Sequence, residues 1–143
     1  MSFANRVTHM GPSGAGQATK SCNQVINFAA FMGIAEALNL GRHFGIDVAR
    51  LPDAIAGGLA DSNMLREYHR AATTGENPGI AFLINGLADF YGGHMNPQLR
   101  GRLDLLVKDI GVALQLGHET GAAMPLMGML DAYARILNAE EKS

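Results

Sequence analysis

Apolar residues recur at helical spacings along most of the chain, and the alternation typical of β-strands is almost absent. Between residues 17 and 43 the apolar positions follow one another at intervals of three and four. They are Ile26, Ala30, Gly33, Ala37 and Leu40. This spacing predicts one long helix with these five residues as its core stripe.

Turn and capping residues divide the rest of the chain into further helices. Asp47 is expected to cap a short segment that turns or becomes helical near Pro52 and ends at Gly57, and Ser62 to cap a helix over 63–72. More helices are predicted over 80–91, 97–118 and 125–138. The second long helix should bury Leu99, Leu103, Leu106, Ile110, Ala113 and Gly117. The sequence therefore predicts an all-α fold, one multi-helix bundle over residues 1–143 built on two long helices.

Composition narrows the classes of function. Apolar residues make up 48% of the chain and charged residues 17%, so a folded core is expected. The net charge is −2 with scattered basic residues, which argues against nucleic acid as a partner. The longest apolar stretch, Val25–Ala35, is too short to span a membrane. One cysteine, Cys22, fits a reducing, cytoplasmic location, and the five histidines lack the spacing of a metal site.

A glycine-rich turn precedes the first long helix. Its glycines, Gly11, Gly14 and Gly16, follow the order G-x-x-G-x-G, whereas a dinucleotide fingerprint has the order G-x-G-x-x-G. Glu36 lies 20 residues beyond Gly16, where that fingerprint has its acidic residue, but the helical pattern around it leaves no second strand. The turn is interpreted as the entry to a helix, with or without an anion at the helix start.

Four polar residues lie together on the first long helix. Lys20, Asn23, Gln24 and Asn27 have the spacing i, i+3, i+4 and i+7, which places them within about 100° of arc. One interpretation is the solvated face of an amphipathic helix. The other is a functional site, because a lysine among apolar neighbours loses hydration and becomes a usable general acid or base.

This segment resembles a known family. Residues 14–24 are similar to the G-x-G-x-x-x-K-x-x-N-[NQ] motif of β-hydroxyacid dehydrogenases of the 3-hydroxyisobutyrate dehydrogenase type. Four more family motifs follow in order: Glu36-Ala37-Leu38, Gly57 to Ser62, Lys108-Asp109-Ile110 and Met124-Pro125-Leu126. The resemblance covers nearly the whole chain after His9. It implies the fold of the C-terminal domain of 6-phosphogluconate dehydrogenase-like proteins.

The resemblance also implies roles by position. Lys20 corresponds to the catalytic lysine, and Asn23 and Gln24 to amides that orient the substrate. Gly14 and Gly16 correspond to the backbone of the substrate pocket. Lys108, with Asp109 beside it, corresponds to the lysine that reaches NAD or NADP near the nicotinamide. The family's Rossmann domain has no counterpart in this sequence, so the chain alone is not expected to hold the cofactor. The interval from Ser62 to Lys108 is also longer than usual, with the extra residues within 80–102.

Two functions remain in competition. The first is the substrate-binding and dimerisation domain of an NAD(P)-dependent β-hydroxyacid dehydrogenase, acting on a small hydroxyacid. It would be a homodimer, inactive unless a Rossmann domain is supplied, for example by a separate partner chain. The alternative is a stand-alone helical binding or oligomerisation module that has lost dehydrogenase chemistry. A third hypothesis is a small all-helical enzyme that uses Lys20 with another charged group.

Overall fold

The computed structural model of the chain describes residues 11–94 and 96–139, and within these ranges all regular structure is helical. The predicted all-α fold is confirmed. The helices are α1 (Ala15–Phe44), a 3₁₀ turn (Val48–Arg50), α2 (Leu51–Ala54), α3 (Asn63–Thr74), α4 (Pro78–Tyr91), α5 (Pro97–Thr120) and α6 (Pro125–Ala139). Helices α1 and α5 are the two long ones, as predicted.

The helix ends follow local sequence chemistry. The Asp47 carboxylate accepts a hydrogen bond from the Ala49 amide at 3.1 Å, and the Ser62 hydroxyl accepts one from the Leu65 amide at 3.2 Å. Both are the predicted capping residues, and each satisfies an amide that has no partner within its helix. Gly45 and Gly121 end α1 and α5 in the left-handed conformation that glycine adopts without strain.

Two hydrophobic clusters hold the helices together. The larger one joins the C-terminal half of α1 to α3, α4 and the start of α5. Its buried members are Ala35, Leu38, Leu65, Tyr68, Ile84, Leu87, Ala88, Leu99 and Leu103. The smaller one joins the N-terminal half of α1 to the middle of α5 and to α6, through buried Phe28, Ile110, Met127 and Leu130. Helix α1 therefore runs through both clusters.

The predicted core stripe of α5 is confirmed almost throughout. Leu99, Leu103, Ile110 and Ala113 are at most 2% exposed, Gly117 is buried, and Leu106 is half-buried. Polar side chains predominate on the opposite face of α5, although Leu105 and Val112 are exposed there, so its apolar spacing identified the buried side.

The predicted core stripe of α1 was wrong. Ile26 is 69% exposed and Leu40 71% exposed, and Gly33 and Ala37 are also exposed. Instead, the helix buries Ser21, Phe28, Ala35, Leu38 and Gly41. Helix α1 is apolar on two faces, so the spacing of its apolar residues does not decide which face meets the core. Cys22, which lies among apolar neighbours on the same helix, is also exposed.

Candidate functional site

A polar cleft lies between the N-terminal half of α1 and the middle of α5. It has a volume of about 210 Å³. Helix α1 contributes Gln17, Lys20, Ser21 and Gln24, and α5 contributes Lys108, Asp109 and Val112. We call this the lysine cleft. It brings together Lys20 and Gln24 from the first predicted site with Lys108 and Asp109 from the second, across more than 80 residues of sequence.

One hydrogen bond ties the two walls of the cleft together. The Gln24 side-chain amide donates to the Asp109 carboxylate, with 2.8 Å between Nε2 and Oδ2. The Asn27 amide nitrogen lies 3.5 Å from the Gln24 carbonyl oxygen, at the limit of a hydrogen bond. Both ends of the Gln24 amide are therefore engaged, which fixes the Asp109 carboxylate relative to Lys20 on the facing helix.

Charge makes the lysine cleft suited to a small anion. Lys20 and Lys108 place two ammonium groups on its rim, both exposed, whereas half-buried Asp109 supplies one carboxylate. The net charge of these three groups is positive by one. A small carboxylic acid matches both this charge and the modest volume, since sites for larger ligands measure roughly 300–1,000 Å³. Lys20 was expected to lose hydration among apolar neighbours, but in this chain it is exposed to solvent.

Asn23 does not line the cleft. It is exposed, and it lies two residues beyond Ser21, which is only 8% exposed and sits where α1 meets α5. Two residues on a helix are about 160° apart around the axis, so Asn23 points away from α5. The structure therefore places Asn23 outside the lysine cleft, and its role in binding substrate stays a prediction.

The sequence reasoning missed Gln17, Ser21 and Val112. The working face of α1 is Gln17, Lys20, Ser21 and Gln24, again at i, i+3, i+4 and i+7 but displaced one turn towards the N-terminus. The same spacing counted from Gln17 instead of from Lys20 would have predicted this face. Ser21 gave no signal by residue type, because a buried serine on a helix is usually structural.

Gly14 and Gly16 lie at the start of α1 and do not line the lysine cleft. Gly14 is the residue before the helix, in the left-handed conformation with φ 91°, and its carbonyl accepts from the Ala18 amide at 3.1 Å. Gly16 is exposed in the first turn, with open space where a side chain would begin. The two glycines shape the entry to α1 one turn from Lys20, as the interpretation of a helix entry requires.

A second polar pocket lies at the other end of α1. It has a volume of about 410 Å³ and includes Arg42, His43, Asp89 and His94. Arg42 is engaged there by the Asp89 carboxylate at 2.7 Å and by the Asn85 carbonyl at 3.3 Å. The Arg42 cation is therefore already paired by side chains of α4, so the contact between α1 and α4 explains this charged cluster. Among the described residues, no three acidic, histidine or cysteine side chains gather as a metal site requires.

Comparisons with known proteins identify the family of the chain. The sequence model of a family described as "NAD-binding of NADP-dependent 3-hydroxyisobutyrate dehydrogenase" matches residues 14–87, slightly more than half of the chain. The chain therefore belongs to this family, within the NAD(P)-dependent β-hydroxyacid dehydrogenases. The matched segment begins at the glycine turn and includes the whole of α1.

Curated relatives extend the match to nearly the whole chain. A probable 3-hydroxyisobutyrate dehydrogenase of Mycobacterium tuberculosis is 31% identical over 134 residues, which are 93% of this chain and 41% of the relative. An NAD-dependent L-serine dehydrogenase of Pseudomonas aeruginosa is 25% identical over 135 residues, 94% of this chain and 41% of the relative. A probable mitochondrial 3-hydroxyisobutyrate dehydrogenase-like protein of Arabidopsis thaliana is 30% identical over 125 residues, 87% of this chain and 31% of the relative.

The chain spans between 31% and 41% of the length of these relatives. Within the part of the chain that the structure describes, no helix is long and apolar enough to cross a membrane.

Proposed function

We propose that the chain is the substrate-binding helical part of an NAD(P)-dependent dehydrogenase acting on a small β-hydroxyacid, in the cytoplasm. The observation that carries this proposal is the lysine cleft, where Lys20 faces Lys108 and Asp109 across the junction of α1 and α5. Family membership supplies the reaction class, and the size and charge of the cleft favour a small carboxylic acid as substrate.

In this proposal Lys20 accepts and returns the hydroxyl proton of the substrate. When a hydroxyacid is oxidised, its hydroxyl oxygen must lose a proton as its carbon loses a hydride, and an amine within hydrogen-bond distance accepts that proton. In the reverse direction the Lys20 ammonium returns the proton to the carbonyl oxygen. Gln24 acts on this step indirectly, because its hydrogen bond to Asp109 fixes the wall opposite Lys20.

The residues of the cleft fit one end of the cofactor and not the whole of it. A volume of about 210 Å³ accommodates a hydroxyacid or a nicotinamide ring, whereas a dinucleotide needs a much larger surface. Lys108 and Asp109, on the α5 wall of the cleft, would meet the nicotinamide end. NAD(P) supplies the hydride acceptor, and we propose that a dinucleotide-binding domain, in the same protein or in a separate chain, holds the rest of it. Such a domain would also close the cleft over exposed Lys20.

Turnover by the chain together with a dinucleotide-binding domain of a relative tests this function. We expect Lys20→Ala to lower kcat by at least about a hundredfold, the usual contribution of a general acid or base. Arg50→Ala, an exposed cation far along the chain from the cleft, is the matched control and should leave kcat unchanged. If Lys20→Ala and Arg50→Ala retain equal turnover, the catalytic role of Lys20 is wrong.

The competing function is a helical assembly module without dehydrogenase chemistry. The long apolar face that α1 exposes to solvent favours it, since exposed apolar surface of this extent is typical of association. The oxidation of a hydroxyacid by a fusion of the chain with a dinucleotide-binding domain, followed as formation of NADH or NADPH, separates the two functions. The fused domain itself binds the cofactor, so the readout is turnover, and a module that has lost its chemistry should form neither NADH nor NADPH.

A further inference from the structure

Ser21 forms the floor of the lysine cleft. It is 8% exposed, whereas every other residue that lines the cleft is exposed or half-buried. Among the residues that the structure describes, the other buried side chain with a hydroxyl is Tyr68, which donates to the Asn85 carbonyl oxygen at 2.8 Å. A side chain that is both polar and buried needs a hydrogen-bond partner of this kind.

The Ser21 hydroxyl has no hydrogen-bond partner within residues 11–94 and 96–139. All the threonines of the described helices donate instead to the backbone carbonyl one turn earlier. They are Thr19, Thr73, Thr74 and Thr120, at 2.7 or 2.8 Å. Ser21 makes no such bond to the Gln17 carbonyl, so its oxygen keeps the capacity both to donate and to accept. Because an unpaired buried hydroxyl costs free energy, this side chain is suited to a ligand that supplies the partner.

An apolar groove lies on the other side of Ser21. It has a volume of about 430 Å³, and its lining includes Val25 of α1, Leu116 of α5 and Met124 before α6. The other hydroxyl on this lining, that of Thr120, is already bonded to the Leu116 carbonyl. Ser21 lines both the groove and the lysine cleft, so the two lie on opposite sides of the contact between α1 and α5. A polar ligand therefore reaches the Ser21 hydroxyl from the side of the lysine cleft.

The proposed substrates differ in one group that can meet this floor. Every small β-hydroxyacid has a carboxylate and a reacting hydroxyl, and the reacting hydroxyl is placed at Lys20. The carbon between the carboxylate and the reacting carbon, C2, carries the substituent that varies. The floor of the cleft is thus the part of the site that can distinguish one acid from another by its C2 substituent.

Charge favours a neutral polar group at this position. Lys20 and Lys108 place two cations on the rim, and the Asp109 carboxylate between the walls is already bonded to Gln24. An ammonium group on C2 would be repelled by the two lysines, whereas a hydroxyl would not. A hydroxyl can also both donate to and accept from Ser21.

We propose that Ser21 is a specificity-determining residue of the lysine cleft, whose hydroxyl hydrogen-bonds to a hydroxyl on C2 of the substrate. The preferred substrate is then a β-hydroxyacid with a second hydroxyl on C2, and an acid with a methyl group there leaves Ser21 unpaired. This inference rests on the proposed dehydrogenase function and names the class of acid that the cleft selects.

Turnover of two acids by the chain together with a dinucleotide-binding domain of a relative tests this role. Glycerate carries a hydroxyl on C2, and 3-hydroxyisobutyrate carries a methyl group there. We expect kcat/KM to favour glycerate by at least about tenfold, and Ser21→Ala to remove this preference. The loss should lie in KM for glycerate with kcat unchanged, because the bond is made equally before and during hydride transfer.

Two further variants separate the hydrogen bond from packing. Thr19→Ala is the matched control, because it deletes a hydroxyl from the same helix that is bonded to the Ala15 carbonyl and does not line the cleft. It should leave the preference unchanged. Ser21→Cys keeps a side chain of similar size but only a weak donor, so it should behave like Ser21→Ala. An active enzyme whose preference is unchanged in Ser21→Ala, or falls equally in Thr19→Ala, overturns the role of Ser21 and leaves the proposed function standing.

The absence of turnover with either acid would count against the proposed function, and binding to the chain alone then decides the role of Ser21. Amide chemical shifts of the isotope-labelled chain should give a lower dissociation constant for glycerate than for 3-hydroxyisobutyrate. This difference should disappear in Ser21→Ala. Equal affinity for the two acids, or no shift change at Ser21, overturns the proposal.

Urea denaturation tests whether the Ser21 hydroxyl has a structural partner instead. Ser21→Ala should leave the denaturation midpoint unchanged or higher, because it removes a buried polar group that the fold does not pair. A clearly lower midpoint would show that the hydroxyl is bonded within the fold, and it would overturn the proposal.

Discussion

The two halves of α1 differ in what surrounds them. The C-terminal half is embedded in the larger hydrophobic cluster, where Ala35 and Leu38 are fully buried between α3, α4 and α5. The N-terminal half contacts the smaller cluster through Phe28, and it carries the lysine cleft on one side and the apolar groove on the other. The comparison teaches that one helix serves as scaffold at one end and as site at the other. Polar residues at the site end can therefore remain exposed without weakening the main core.

A substitution in the C-terminal, scaffold half of α1 should have the largest effect on the free energy of unfolding. Leu38→Ala removes a fully buried side chain from the larger cluster, and we expect it to lower the free energy of unfolding by about 2–5 kcal/mol. Leu105→Ala on α5, where the side chain is 67% exposed, should cost less than about 0.5 kcal/mol. Urea denaturation measures both. A comparable loss for the two variants would show that Leu38 does not anchor the core.

A substitution in the smaller cluster should lower the free energy of unfolding by less. Met127 is 1% exposed, but it packs among only three other buried residues, so we expect Met127→Ala to cost about 2 kcal/mol, at the lower end for such substitutions. Urea denaturation under the same conditions gives the comparison with Leu38→Ala. If Met127→Ala lowers the free energy of unfolding well more than Leu38→Ala does, the smaller cluster is the main scaffold and the account of the two halves of α1 is wrong.

Tyr91 packs against the larger cluster and gives a pH test. Burial raises the pKa of Tyr91 from 10 to about 12, with the charges of Glu36 and Tyr133 adding to the shift. The fold therefore favours the neutral phenol, and this contribution is complete below pH 10 and is lost as the pH rises to about 12. Solvent access to the ring reduces the effect to about 1–2 kcal/mol.

Stability against pH should accordingly fall less between pH 10 and 12 in Tyr91→Phe than in the unaltered chain. Tyr133→Phe should give a curve between the two, because it keeps the Tyr91 phenol but removes the Tyr133 charge that adds to its pKa shift. Parallel curves for the unaltered chain and Tyr91→Phe would contradict the burial of this phenol.

The smallest effect concerns the bond across the lysine cleft. Gln24 and Asp109 are half-buried, so a double-mutant cycle with Gln24→Leu and Asp109→Leu should give a coupling of about 1 kcal/mol. The control cycle uses Gln115 and Glu119, an exposed pair one turn apart on α5, which should couple by less than about 0.5 kcal/mol. Equal coupling in the two cycles would mean that Gln24 does not fix the cleft wall.

Local chemistry explains what the sequence predicted well. The caps at Asp47 and Ser62 and the bounds of the helices depend on neighbouring residues, and they agree with the structure. The buried face of α5 was predicted because polar residues predominate on the other side of that helix. For α1 the same method chose the wrong face, since a helix apolar on two sides needs knowledge of its neighbours.

The site was predicted in part for a related reason. Periodicity placed Lys20 and Gln24 on a common face, but it included Asn23 and missed Gln17 and Ser21 because the position of α5 was unknown. Lys108 and Asp109 came from family resemblance alone, and the structure places them opposite Lys20. A contact between residues 85 positions apart, such as Gln24 with Asp109, is set by helix packing and leaves no periodic signal.

The central claim is that the lysine cleft binds a small hydroxyacid. Amide chemical shifts of the isotope-labelled chain, titrated with a three-carbon hydroxyacid at millimolar concentration, test it most directly. We expect shift changes on residues 17–24 and 108–112 that disappear in Lys20→Ala. Changes centred on Arg42 and His94, or changes that Lys20→Ala leaves intact, would contradict the claim.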